Sequence, residues 1–151
     1  MNAGAMRQRC PNSRALGRAR LARHRIFVMS SGHFSVKRDP WADVHGVLYD
    51  VALCDVPALD RYEEVGRGLY AKIAQPVLRE GVAPVRALLY VGRDQKAGVA
   101  RPDYIADVLA AARDWNLPGA YIASLMSCAG MKPGAGREAA SRRTSVKTDN
   151  Q

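Results

Sequence analysis

The chain has 151 residues, of which 48% are hydrophobic and 25% are charged, a composition typical of one globular domain and too short for a multidomain protein. Its net charge is +9, yet charged residues interrupt every apolar run well before the roughly 18 residues of a membrane span, so we expect no membrane partner. Three cysteines, Cys10, Cys54 and Cys128, fit neither a disulfide framework nor a metal site, which predicts a reducing, cytoplasmic location and no bound metal.

The predicted elements show no internal repeat and no regular alternation of strand and helix. In chain order they are a helix over residues 1–9, a strand over 16–29, strands over 34–37 and 44–51, a helix capped by Asp55 that runs to about 63, strands over 70–78 and 82–91, a helix over 102–115, and a last helix after Pro118. The helix over 102–115 has an apolar stripe of Ile105, Val108, Leu109 and Ala112. Strands dominate the middle of the chain and helices punctuate or follow them. This order predicts an α+β fold with a mostly antiparallel or mixed sheet.

The positive charge is concentrated at the two ends of the chain. Residues 1–40 carry a net +8, residues 41–131 a net −2, and residues 132–151 a net +3. One interpretation is a nucleic-acid binder that uses the arginines of the first strand, which would bind less tightly as salt is added. Few aromatic residues accompany these arginines, and we therefore do not expect nucleic acid as a partner. The arginines concerned are Arg14, Arg18, Arg20, Arg23 and Arg25.

Composition divides the chain into one domain and a tail. Residues 131–151 are mainly Gly, Ser, Ala, Arg and Lys and lack the large aliphatic side chains that would offset the entropy cost of ordering them. We expect a disordered basic tail there, and a single domain over residues 1–130.

One carboxylate has an unusual position on the predicted helix 55–63. Val56, Leu59 and Glu63 are spaced i, i+3 and i+7, so a helix that buries its aliphatic face would turn Glu63 inward, toward a cavity. Burial raises the pKa of a carboxyl group, as general-base chemistry near pH 7 requires. The alternative is that the helix frays near Val65 and Gly66 and that Glu63 is an ordinary surface acid. Asp60 and Glu64 point to the flanks, where water or Arg61 can accommodate them.

Six segments in order resemble the gamma-glutamylcyclotransferase family, including its AIG2-like members, over about residues 1–126. The ordered set with matching gaps carries the resemblance, since none of the pieces is decisive alone. The segments are Val-His-Gly-Val-Leu-Tyr from Val44, Leu-Asp-Arg-Tyr-Glu-Glu-Val from Leu59, Gly-Leu-Tyr from Gly68, Ala-Leu-Leu-Tyr-Val from Ala87, Pro-Asp-Tyr from Pro102 and Trp-Asn-Leu-Pro-Gly-Ala-Tyr from Trp115.

The resemblance implies a fold, a reaction and three site residues. The fold is a small mixed or antiparallel β-barrel with surrounding helices. The reaction releases 5-oxoproline from a small γ-glutamyl substrate, with neither cofactor nor metal. Glu63 falls on the family's catalytic glutamate, Tyr104 on a substrate-contacting tyrosine and Tyr70 on a tyrosine near the catalytic group. A place in the aromatic core is the alternative for Tyr70. The oligomeric state is not predicted.

The sequence departs from the family pattern in two places. The family begins with a strand and a Tyr-Gly-Ser-Asn loop that cradles the substrate, and neither is present before Asn2. Either Met1 is an internal methionine of a longer protein, or the chain is a catalytically inactive binding domain of the same fold. The second departure is Glu64, where many members have glycine, and we expect its charge to raise the pKa of Glu63 further.

Overall fold

The computed structural model of the chain describes residues 2–131, so all of the predicted tail except Met131 lies outside the described residues. The elements are α1 (Ala3–Arg9), β1 (Arg14–Val28), β2 (Phe34–Asp50), α2 (Val56–Tyr62), β3 (Tyr70–Arg79), β4 (Val82–Gly92), α3 (Pro102–Asp114) and α4 (Gly119–Cys128). Short 3-10 helices, Leu53–Asp55 and Val65–Arg67, flank α2. All four predicted helices are found within a few residues of the expected bounds.

The four strands form one antiparallel sheet in the order β2-β1-β3-β4, which confirms the predicted α+β class. It consists of two hairpins, β1–β2 and β3–β4, that pair with each other only where Arg20 meets Leu78. No pairing of β2 with β4 closes this sheet into a barrel within the described residues. The two outer strands nevertheless approach at one end, because the Gly92 amide donates a hydrogen bond to Ser35 Oγ at 3.0 Å. The sheet is therefore curled and open.

The prediction of two separate strands over residues 34–37 and 44–51 was wrong, since β2 is continuous. It pairs with β1 on both sides of a bulge, up to Arg38 and again from Asp43. Pro40 has no amide to donate to a neighbouring strand, and within the bulge it needs no partner. The bulge also projects Trp41, which is 94% exposed. Local sequence indicated the interruption, but pairing with β1 on either side holds the two halves in line.

The main core lies between the two C-terminal helices and the β1–β2 hairpin. The apolar stripe predicted for the helix that begins at Pro102 is confirmed, with Ile105, Leu109 and Ala112 buried. Leu125 of α4 is completely buried in the same cluster. Strand residues, Ile26 among them, pack against this cluster. No helix among residues 2–131 has the length and apolar character needed to cross a membrane.

Candidate functional site

Asp55 attaches the start of α2 to the segment that follows α1. The sequence predicts Asp55 as a helix cap, and it does occupy that position, but its side chain makes no capping hydrogen bond. Its carboxylate instead accepts hydrogen bonds from Ser13 Oγ at 2.7 Å and from the amide and side chain of Asn12 at 3.0 and 3.1 Å. These donors, the Ser13 hydroxyl above all, lower the pKa of Asp55. Asp55 thus lies at the predicted N-cap position, but its carboxylate is satisfied by donors distant in sequence instead of by the first turn of the helix.

Asp60 attaches α2 to the β3–β4 hairpin. Its two carboxylate oxygens accept hydrogen bonds from Lys72 Nζ and Tyr90 Oη, each at 2.8 Å. Lys72 and Tyr90 are opposite each other in the hairpin, so one carboxylate binds both strands. The expectation that water or Arg61 accommodates Asp60 was therefore wrong. The signal that could have placed Tyr90 beside Lys72 is the hairpin register, which the short turn between the two strands determines.

Glu63 is the first residue after α2, and it stays partly buried although the helix ends before it. Its amide donates to the Leu59 carbonyl at 2.9 Å, which continues the helical turn by one residue. Within residues 2–131, no hydrogen bond or ion pair to another side chain holds the Glu63 carboxylate. Burial raises its pKa, and the nearby positive charge of Arg9 opposes that effect. The guanidinium of Arg9 itself lies over the Tyr62 ring, 3.4 Å from the centroid.

Two tyrosines, Tyr70 and Tyr104, lie within electrostatic range of the Glu63 carboxylate. Burial raises the pKa of Tyr70 and of Tyr104, and the nearby charge of Glu63 raises both further. Tyr104 Oη accepts a hydrogen bond from the Phe34 amide at 3.2 Å, and its ring makes an edge contact with His33 at 4.9 Å. The structure thus brings Glu63, Tyr70 and Tyr104 within electrostatic range of one another. Both phenols remain protonated at neutral pH and can donate hydrogen bonds, while the carboxylate can exchange a proton.

Glu64 does not act on Glu63 as the sequence predicts. Its backbone is left-handed, with φ 49° and ψ 41°, a conformation that glycine adopts without strain. Its carboxylate forms an ion pair with Arg67 at 2.5 Å. The raised pKa of Glu63 comes from burial, and the charge of Glu64 does not contribute to it.

Two cavities, of about 480 and 370 Å³, lie between β1 and β3, and neither is lined by Glu63, Tyr70 or Tyr104. The predicted cavity in front of Glu63 is thus not one of these two. In the part of the chain that the structure describes, no group of three or more His, Cys, Asp or Glu side chains is arranged to hold a metal ion.

Solved structures with the same fold include a gamma-glutamyl cyclotransferase, which is 19% identical to this chain at a TM-score of 0.76, with 87% of this chain and 82% of that chain covered. An uncharacterized Homo sapiens protein, loc79017, is 21% identical at a TM-score of 0.73 and covers 86% of this chain and 81% of its own. YkqA from Bacillus subtilis is 18% identical at a TM-score of 0.73, and the match spans 86% of this chain and 49% of YkqA.

At these identities the structural matches establish the fold alone. No curated protein sequence matches the chain significantly. The model of the AIG2-like family matches residues 43–125, which include α2, the β3–β4 hairpin and α3. Because this match extends over more than half of the sequence, the chain belongs to the AIG2-like family.

Proposed function

We propose that this protein is a cytoplasmic enzyme that releases 5-oxoproline from a γ-glutamyl compound, with Glu63 as its general acid and base. The observation that carries the proposal is the Glu63 carboxylate itself, which is partly buried, has no side-chain partner among residues 2–131 and lies within electrostatic range of Tyr70 and Tyr104. A structural carboxylate in such a place would be expected to have a partner, as Asp55 and Asp60 do. Membership of the AIG2-like family and the similarity to a gamma-glutamyl cyclotransferase fold support the reaction class.

The proposed reaction joins two ends of one substrate molecule. The Glu63 carboxylate accepts a proton from the α-ammonium group, and the freed amine nitrogen attacks the γ-carbonyl carbon. A carbon–nitrogen bond forms and closes the five-membered ring. The bond from that carbon to the leaving nitrogen then breaks as Glu63 returns its proton to the departing nitrogen. The second proton of the ring nitrogen passes to the released amine, which leaves as an ammonium ion. The raised pKa of Glu63 suits both transfers, because a group with a pKa closer to neutrality gives and accepts protons with similar ease.

The tyrosines would position the substrate for ring closure. Tyr70 and Tyr104 keep their protons at neutral pH, so each can donate a hydrogen bond to a substrate oxygen. Holding the amine near the carbonyl supplies much of the rate acceleration of such an intramolecular reaction. The leaving group is not specified by these residues, and glutathione, γ-glutamyl amino acids and γ-glutamyl amines are all candidate substrates.

The test is an assay of 5-oxoproline release from a panel of γ-glutamyl substrates. We expect Glu63→Gln to lower kcat by about 10²- to 10⁴-fold, the usual contribution of a general acid or base. Glu64→Gln is the matched control, because it removes the adjacent carboxylate, which is paired with Arg67. We expect its activity to stay within a few-fold of the unmodified protein. Activity should fall as pH drops through the Glu63 pKa, which lies above that of an exposed glutamate.

The same assay tests the alternative that the chain is a catalytically inactive binding domain. Protein extended through any in-frame codons upstream of Met1 should be tested beside the present chain, since no Tyr-Gly-Ser-Asn loop occurs in these 151 residues. Full activity of Glu63→Gln would contradict the assignment of the base. If neither protein releases 5-oxoproline from any substrate, the binding-domain alternative replaces the enzyme.

A further inference from the structure

The larger cavity, about 480 Å³, lies where the two hairpins of the sheet diverge. β1 and β3 pair only at Arg20 and Leu78, and the cavity opens around this pair. Its volume is in the range of small-molecule sites, about 300–1,000 Å³. Three of its lining residues are arginines, Arg18, Arg20 and Arg79, and others are aliphatic.

Two of these arginines have no carboxylate partner in the part of the chain that the structure describes. Arg18 Nη1 donates to the Asn116 carbonyl at 2.9 Å, and Arg79 Nη2 donates to the Leu16 carbonyl at 2.7 Å. No ion pair neutralises Arg18 or Arg79 within the described residues. A guanidinium group has five N–H donors, so each side chain is anchored by one donor and retains others. The carbonyls orient these guanidinium groups without cancelling their charge.

The other titratable groups around the cavity leave it positive. Asp43 forms an ion pair with Arg20 and balances it. Burial lowers the pKa of His45, which is therefore neutral near pH 7, and its ring packs against Tyr121 at 5.0 Å. Glu80 is exposed and offsets one of the two remaining positive charges. The summed charge of the lining is thus positive, with the two unpaired guanidinium groups as its donors.

We propose that this cavity binds a small organic anion, whose carboxylate or phosphate oxygens accept hydrogen bonds from Arg18 and Arg79. Guanidinium groups suit both oxyanions, because their planar N–H donors match two oxygens at once. The apolar part of the ligand packs against Leu16, Leu78 and Leu117, which line the same cavity. No Phe, Tyr or Trp side chain lines it, and its one ring, that of His45, packs against Tyr121, whereas a site for single-stranded nucleic acid would use exposed rings to stack bases. This site is separate from Glu63 and does not depend on the proposed reaction.

Titration calorimetry with the full chain tests the proposal, using inorganic phosphate, hexyl phosphate and hexanoate as probes. We expect saturable binding of one molecule of hexyl phosphate or hexanoate, and the stronger of the two identifies the headgroup. Inorganic phosphate should bind more weakly than hexyl phosphate, because it lacks the apolar part. Replacing both Arg18 and Arg79 with Ala should weaken binding at least about tenfold, since the change removes charged hydrogen-bond donors to the anion.

The matched control replaces Arg86 and Arg113 with Ala, which removes the same charge from exposed sites outside the cavity. Its affinity should stay within about twofold of the unmodified protein. Because the double Ala variant also loses two tertiary hydrogen bonds, ¹⁵N NMR of the arginine side chains in unmodified protein gives a second measurement. The Arg18 and Arg79 Nε signals should shift on titration. Four results would each overturn the proposal. They are no binding of either alkyl anion, equal weakening in both double variants, Arg18 and Arg79 signals that do not shift, and binding of an oligonucleotide alone.

Discussion

At the scale of single residues, three carboxylates of one short region have different surroundings. Asn12 and Ser13 donate three hydrogen bonds to Asp55, and Lys72 and Tyr90 donate two to Asp60, and these donors lower the pKa of each group. Glu63 is partly buried and has no such donor among residues 2–131, and its pKa is raised instead. Burying a carboxylate without compensating hydrogen bonds is unfavourable. The candidate base is therefore expected to destabilise the fold that contains it.

Glu63→Gln should accordingly stabilise the protein at pH 7. The folded pKa of Glu63 lies above its unfolded value, so the native state binds more protons between the two, and stability falls as pH rises through this interval. This penalty is present once pH exceeds the folded pKa of Glu63. Urea unfolding at pH 7 should therefore show the variant to be more stable. The difference should shrink toward pH 4, and a less stable variant at pH 7 would contradict this account.

At the scale of elements, α2 is seven residues long and depends on side-chain attachments at both ends. Isolated helices of this length are unstable in water. Asp55 links its start to Asn12 and Ser13, and Asp60 links its last turn to the β3–β4 hairpin. Glu63 follows immediately, so these two attachments determine where its carboxylate lies.

Ser13→Ala tests the first attachment. Ser13 Oγ donates to Asp55 at 2.7 Å and accepts from the Ala52 amide at 3.1 Å, so its loss leaves two partly buried groups short of a partner. We expect a loss of about 1–3 kcal/mol in the free energy of unfolding, measured with urea at pH 7. Ser127→Ala is the control, because Ser127 is an exposed helical residue whose side chain makes no hydrogen bond in the described structure.

The pH dependence of the Ser13 effect has a definite sign. The folded pKa of Asp55 is lowered, chiefly by Ser13, so its contribution to stability is present above the unfolded pKa and is lost as pH falls through the folded pKa. The gap between Ser13→Ala and the unmodified protein should therefore narrow at acid pH. Equal stability of the Ser13 and Ser127 variants at pH 7 would show that the attachment does not matter.

At the scale of the whole molecule, the core between α3, α4 and the β1–β2 hairpin supplies the main apolar contact between helices and sheet. Leu125 has no exposed surface, and strand residues Ile26, Phe34 and Val44 pack against its cluster. The candidate site shares this support, because Tyr104 lies on α3 and bonds to the amide of Phe34.

Leu125→Ala should destabilise the protein by about 2–5 kcal/mol, since it removes buried methyl groups and leaves a cavity. Leu53→Ala is the control, because Leu53 is 88% exposed, and we expect its effect to be within about 0.5 kcal/mol. Thermal unfolding followed by circular dichroism gives both values. Similar melting temperatures for the two variants would show that the helices are not coupled to the sheet through this core.

The sequence by itself determined the elements and the most unusual carboxylate. Apolar periodicity placed α3, the short turn placed the β3–β4 hairpin, and the i, i+3, i+7 spacing selected Glu63 before any contact was known. These features depend on neighbours within about two turns of helix or one hairpin, and local pattern carries that information. The same spacing could not show that the helix ends at Tyr62 and that Glu63 stays partly buried beyond it.

Only the tertiary structure decided what depends on residues far apart in the chain. The Asp55 carboxylate accepts hydrogen bonds from Asn12 and Ser13 instead of from the first turn of its helix, and pairing with β1 makes β2 continuous across Pro40. Segments that meet only in the fold also create the environment of Glu63. They likewise bring together Arg18 and Arg79, which bind backbone carbonyls and have no ion pair among the described residues. Burial and hydrogen bonding depend on residues that are close in three dimensions but far apart in the chain. They therefore cannot be predicted from the spacing of residues along one segment.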